Sequence, residues 1–434
     1  MSSKALSRRG FLKLVGTTAA GGFLVACAPT VSTPATPVES GAAESTQISI
    51  AVGGWAVEPT QQVLDELGFT DQTGIEVEVL TRPGTGDEFI TQMASAVRAG
   101  TSPYDVLDFE DEIAITFSRA GWLVGLDDLL PDDFWEDWPQ SMLDMRDVWD
   151  QHEGATFRIH HNYEACYWWY RKDWFDEKGV EVPATWDEIA AMGEVFTDEA
   201  AGVWATEDGL TSGAFLNVYL AWVTRQAGGD SFAVGEEYRT ALQYIHDLMY
   251  THKALNPASL QKNYDEQNAD YIADRVAFMR QWPFFYDVSR AAPDWFEEDK
   301  VTIALPPVGP GGPSGSTYAA GWGFGMPTTT PNLEAAGQLV LFLVDKQNAG
   351  PMAKINTWFL SARDSVLDAV GDEGMAPFLK MYVDAGVIGL RPFHANNVEA
   401  ISILEEDASA YLTNQITLDE AIERSSTRMA ELEA

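Results

Sequence analysis

Residues 48–54, ISIAVGG, alternate apolar and polar positions before ending in glycines, which predicts a strand. A helical pattern follows from about Pro59 to Phe69, then a strand over IEVEVL at 75–80, a helix from about Gly86 to Ala99 and a strand over YDVLDF at 104–109. Strands and helices alternating at this spacing predict parallel β-α-β units. In open sheets of that kind ligands gather at the carboxyl ends of the strands, and Glu58 and Glu110 fall just beyond two such ends. From about residue 165 the pattern changes to a short aromatic strand, YWWYR, a helical turn and a glycine stop. Thr185 with Glu188 three residues on has the form of a capping box, in which hydroxyl and carboxylate satisfy the exposed N–H groups of a helix start. Mostly helical material is expected up to about Glu298, then a strand over VTIALPPVG at 301–309, the strand-like stretch YAAGWGFGMP at 318–327, and helices to the end.

The first residues read as an address. Arg8 and Arg9 precede an apolar run from Leu14 to Ala26, the pattern of a twin-arginine export signal, and the run is too short to span a bilayer. It ends in LVAC at 24–27, which resembles the lipobox of bacterial lipoproteins and implies that Cys27 carries a lipid. The following stretch to residue 46, rich in Pro, Thr, Ser and Ala, has too little apolar surface to fold and reads as a tether. With Cys27 lipidated, Cys166 has no cysteine left to pair with. Acidic residues outnumber basic ones 66 to 27, so nucleic acid is excluded as a partner, because phosphate contacts need Lys and Arg patches.

Four motifs in register, SRAGWLVGLDDLL at 118–130, YRKDWFDEKGVEVPATWDEI at 170–189, DRVAFMRQWP at 274–283 and YAAGWGFGMP at 318–327, resemble the family 1 extracellular solute-binding proteins. These are the receptors of ABC sugar importers, and the trehalose/maltose-binding branch is the nearest in pattern. The resemblance implies an α/β fold of the periplasmic-binding-protein-like type II, two lobes joined by a hinge with the ligand cleft between. Carried over, the crossings lie near 159–164, 303–309 and 345–355. The chain then divides into a signal (1–26), a tether (27–46), an N-lobe of 47–160 plus 306–347, and a C-lobe of 161–305 plus 348–434. The implied protein is a monomer outside the cytoplasm, anchored through Cys27. It delivers a sugar to ABC permease subunits, and it is not an enzyme and needs no cofactor.

A sugar offers hydroxyls at its edge and C–H patches on its faces, so a receptor needs flat aromatics and a few well-placed polar groups. A hydrogen bond to an ionised carboxylate contributes roughly 1.5–3 kcal/mol, and two or three with stacking support a micromolar ligand, about −8 kcal/mol. By position in the family motifs, the hydroxyl-binding acids are Glu58, Glu110 and Glu164. The family often has Asp at the latter two positions, which leaves Asp108 or Asp111 as alternatives to Glu110. Trp282 and Trp322 match the stacking aromatics, with Gly321 and Gly323 expected to keep the wall bare around Trp322. Trp55, Tyr163 and Arg391 complete the expected ligand set.

His160 and His161 are adjacent, and strand residues so placed point to opposite faces. No His/Cys cluster has metal-ligand spacing. GPGGPSG at 309–315 lacks the Lys and helix start of a phosphate cradle. Two other functions share the acids and tryptophans. One is a cage for a cationic ligand such as a polyamine or quaternary amine, and the other is a secreted glycoside hydrolase with paired carboxylates.

Overall fold

The computed structural model describes residues 46–84, 86–213, 215–292 and 300–433; the signal, Cys27 and the rest of the tether up to residue 45 lie outside them, while Thr46, expected in the tether, is the first residue of a strand. The strands in chain order are β1 (Thr46–Val52), β2 (Ile75–Thr81), β3 (Val106–Glu110), β4 (Gln151–His152), β5 (Ala155–Thr156), β6 (Ile159–His160), β7 (Glu164–Ala165), β8 (Tyr167–Arg171), β9 (Trp204–Thr206), β10 (Val276–Gln281), β11 (Val301–Ala304), β12 (Thr317–Ala320), β13 (Trp322–Gly325) and β14 (Ile388–Leu390).

The first lobe is built on a sheet of order β2-β1-β3-β13-β6. As the alternation predicts, β1 runs parallel to both β2 and β3, with Ile50 opposite Val79 on one side and Val106 on the other. Helices Gly86–Ala99, at the predicted bounds, and Val57–Glu66 supply the crossovers. The second lobe has the order β11-β8-β10-β9. Its central strand β10, VAFMRQ, is buried throughout. That strand and β9 fall where helices were expected. A short run buried on both faces shows no alternation, so local pattern could not separate it from a buried helix. The capping box forms as read: Thr185 Oγ1 accepts from the Glu188 N–H, and the Glu188 carboxylate accepts from the Thr185 N–H.

A third sheet, β14-β12-β7, links the lobes. The chain passes outward through β6, β7 and β8 and returns through β11, β12 and β13. The antiparallel pair β7–β12, with Glu164 opposite Ala320, ties the two passages together. Between β11 and β12 the Val308 N–H donates to the Ala184 carbonyl and the Gly311 N–H to that of Gln226. Helix Lys346–Ile355 packs on Val57–Glu66 and Leu333–Val344, and Arg363 binds Asp137 and the Val344 carbonyl. Tyr382, further on, hydrogen-bonds Trp168 and Ala304 of the second lobe.

Among the described residues no helix is long and apolar enough to cross a membrane, and no group of three or more His, Cys, Asp or Glu is placed to hold a metal ion.

Candidate functional site

The parallel strands β1, β2 and β3 end on one edge of the first lobe, and each delivers a side chain there. Trp55 sits in the turn Gly54–Ala56 after β1. Arg82 follows β2, its N–H donating to the Val52 carbonyl at 2.9 Å and so keeping it beside the end of β1. Glu110 closes β3, and Trp322, the first residue of β13, lies directly opposite it. Arg82 is 4% exposed. Its Nη2 stands 2.5 Å from Glu110 Oε2, and its guanidinium carbon lies 4.8 Å from the Trp322 ring centroid and 5.0 Å from that of Phe89. Burial raises the Glu110 carboxyl above its ordinary range, with Arg82 opposing the shift.

Trp358, from the turn Thr357–Phe359, completes an aromatic wall. Ring centroids are 5.3 Å apart for Trp55–Trp322, 5.0 Å for Trp322–Trp358 and 6.0 Å for Trp55–Trp358, at interplanar angles of 87°, 61° and 82°. Edge-to-face contacts set the positive rim of one ring against the negative face of the next, which fixes the mutual orientation.

Behind the wall the charges are paired. Arg158, fully buried, reaches Asp111 at 2.5 Å and Asp150 at 2.7 Å and donates to the Phe109 carbonyl at 3.0 Å. The Asp111 carboxylate also accepts the Gly321 N–H at 2.8 Å. His160 contacts Asp150 at 2.5 Å and His161 contacts Asp108 at 3.1 Å, so the adjacent histidines do diverge. Glu164, on β7, is 7% exposed, and its carboxyl has no hydrogen bond or ion pair among the described residues. Burial, then the nearby charges of Asp111 and Asp108, push its carboxyl up to about 8. At neutral pH it is a protonated acid and therefore a hydrogen-bond donor.

Of the expected ligand residues, the structure brings together Trp55, Glu110 and Trp322, with Gly321 immediately before Trp322 and bonded to Asp111. Asp108 and Asp111, the alternatives to Glu110, are both buried and held by protein partners. Glu58 is exposed in the first turn of Val57–Glu66. Tyr163 is buried in the largest apolar core, its hydroxyl against Ser141, and burial pushes it up to about 12. Trp282 is buried in the second lobe's core, with its ring 6.0 Å from that of Tyr318. Arg391 is buried and ion-paired to Glu112 at the start of helix Asp111–Arg119. Arg280, the other cation near the cleft motifs, is bound to Asp208 at 2.6 Å.

The glycines have a different reason from the one expected. A Cβ on Gly321 would lie 2.6 Å from Met145 Cε, and one on Gly323 would lie 2.8 Å from both Arg158 Cγ and the Ile159 carbonyl. They admit the protein's own side chains and strand β6, not a ligand. Sequence reasoning missed Arg82, Trp358 and the Asp108–His161 pair. Arg82 directly after a strand was a readable signal by the carboxyl-end rule, whereas Trp358, in NTWFL, carries no local mark.

Two α/β lobes, joined by paired strands and carrying an aromatic and ion-paired wall at the carboxyl ends of parallel strands, define a two-lobed binding protein. The family model described as bacterial extracellular solute-binding protein matches residues 54–350, more than half of the chain, and the chain belongs to that family. The fold is similar to that of maltose-bound MalE3 from T. maritima, with TM-score 0.75, 24% identity and coverage of 89% of this chain and 100% of that one. It is also similar to an ABC transporter solute-binding protein from Thermotoga lettingae bound to α-D-tagatose, with TM-score 0.76, 20% identity and coverage of 90% and 100%. Among characterised proteins, the osmoprotective compounds-binding protein GgtB of Synechocystis is 29% identical over 147 residues, 33% of this chain. That match spans about a third of the relative's length, 32%.

Proposed function

We propose that this chain is an extracytoplasmic receptor that closes its two lobes on a neutral polyhydroxy ligand, a mono- or oligosaccharide, and presents it to an ABC importer. The observation that carries this reading is the charge pairing of the wall. Glu110 is neutralised by Arg82, Asp111 by Arg158 and Glu112 by Arg391. Trp322 already carries a guanidinium on its ring. A cationic ligand would find no uncompensated carboxylate in this set and would be repelled at that ring, which argues against a polyamine or quaternary amine. A sugar needs no net charge, only apolar plates and groups that donate and accept hydrogen bonds. Maltose and α-D-tagatose in the two structural relatives support the same ligand class. The protein makes and breaks no bond; ligand drives closure by its preference for the closed state.

A thermal-shift screen of saccharides tests the proposal. A ligand at 100 times its Kd should add about 2.7 kcal/mol of stability, and the gain should change little between low and high salt, because screening acts on charged ligands. Stabilisation by polyamines alone, lost in salt, would overturn it.

The lobes are assigned with the first built on β1–β3, β6 and β13 and the second on β8–β11, the chain acting as a monomer. Anchoring through Cys27 belongs to the same proposal, on the strength of the LVAC motif. Cys27→Ser is expected to release the protein from the cell envelope into the medium or periplasmic fraction; retention in the membrane fraction would refute the anchor.

A further inference from the structure

Resting on the reading of a two-lobed receptor that closes, we propose that segment 391–397 is a strap that fastens the second lobe to the first beside the cleft and so sets how far the free protein is closed. The segment leaves β14, the edge of the linking sheet, and enters helix Asn397–Leu412, which packs on the second lobe's Leu216–Gln226. It is held on that side: Asn396 Nδ2 donates to the Leu432 carbonyl at 3.2 Å, and the His394 ring lies 5.6 Å from that of Phe232. Its other side meets the first lobe. Arg391 is ion-paired with Glu112, and Asn397 Nδ2 donates to the Glu112 carbonyl at 3.3 Å. Arg119 Nη1 donates to the Ala395 carbonyl at 2.6 Å, and the Phe393 ring stands 5.2 Å from that of Trp149 at 75°.

Glu112 and Arg119 stand two turns apart on helix Asp111–Arg119 and so share one face. The strap follows that face for about 10 Å, a length that resists rotation of one lobe against the other. Glu112 comes just after Glu110, which closes β3, so the near end of the strap lies at the same edge as the aromatic wall. Opening the lobes at that edge draws helix Asp111–Arg119 away from 391–397 and breaks all four contacts. Their chemistry makes the break reversible. Three are polar, and the fourth uses a phenyl ring that is 39% exposed; small polar interfaces between lobes part and re-form, whereas large apolar ones do not. Arg391, by contrast, is 8% exposed with Glu112 as its counter-charge. A parted strap strands that cation, which favours re-seating. None of the four contacts involves a ligand, so the closed form is populated without one, and the ligand has to supply only the remainder of the closing free energy.

Two variants loosen opposite ends of the strap: Arg119→Gln combined with Phe393→Ala, and Glu112→Gln. Small-angle X-ray scattering of the ligand-free proteins should give both a larger radius of gyration than wild type, with the melting temperature of the first unchanged. Wild type is then titrated with maltose, trehalose and D-tagatose, and the tightest binder is carried to the variants. They should bind it at least threefold more weakly, with faster dissociation, and at saturation the three radii should coincide. Arg119 lies at the end of its helix away from the wall, so a loss of affinity there reports closure and not a missing ligand contact. Ligand-free radii that match wild type overturn the strap, and so does tighter binding by the variants, which would put the contact behind the hinge. A wild type that binds none of the three sugars overturns the sugar reading, and the ligand-free radii then decide the strap by themselves.

Discussion

Replacing Arg158 by Met should lower the free energy of unfolding at pH 7 by about 3–5 kcal/mol, the cost of stranding buried charges whose partner is gone. Arg158 ties several parts of the first lobe together: it lies on the segment before β6, binds Asp111 after β3 and binds Asp150 at the end of the turn Arg146–Asp150. Asp111 and Asp150 are fully buried, so the variant must hold two carboxylates in a low-dielectric interior. Burial raises the Asp111 carboxyl even with Arg158 present. Burial acts on Asp150 in the same sense, but Arg158 and His160 outweigh it and hold that carboxyl below its usual value. Protonating the acids removes the conflict, so the deficit of Arg158→Met should shrink as pH falls from 7 to 4. Urea denaturation across that range checks it. A deficit under 1 kcal/mol at pH 7, or one that grows in acid, would refute the assignment.

Glu164→Gln should do the opposite and stabilise the protein in alkali. The folded-state pKa of Glu164, about 8, lies above the ordinary carboxylate value of 4.5, so the native state binds this proton more tightly than the unfolded state does. The sign follows from linkage. Stability from this group is complete below pH 4.5 and is lost as pH rises through 8. At pH 9 the wild type must keep a bare carboxylate near Asp108 and Asp111, at a cost on the order of a few kcal/mol. Gln keeps the shape and a donor without the charge. Its urea midpoint should match wild type near pH 4 and exceed it clearly at pH 9. Parallel pH profiles for the two proteins would show that Glu164 is not protonated in the native state.

Local pattern carried much of the first lobe. β2 alternates because one face meets apolar neighbours and the other is open, β1 carries Ile48, Ile50 and Val52 into one core and Ala51 into another, and the Gly86–Ala99 helix has a stripe that buries Phe89 and Met93. These are signals of period two and 3.6, set by nearest neighbours along the chain. The Thr185–Glu188 box was legible for the same reason, being closed within four residues. What escaped was long-range. β10 reads as an apolar run because helices and strands cover both its faces, and Trp358 becomes part of the wall only when the chain returns to β1 after some 300 residues. The glycines of β13 show a subtler limit. That small residues are needed beside Trp322 was visible, but which side required the space was not; it is the side of Met145 and Arg158. Arg391 and Glu58 illustrate the same gap, since motif position says nothing of a partner such as Glu112, nor of an exposed first helical turn.

The most direct test of the account is a crystal structure of the protein with the saccharide that stabilises it best. The expected result is a sugar ring lying within van der Waals contact of Trp55, with hydroxyls in hydrogen-bonding reach of Arg82 or Glu110 and both lobes touching the ligand. A sugar seated elsewhere, with the Trp55–Trp322–Trp358 wall in bare solvent, would contradict it.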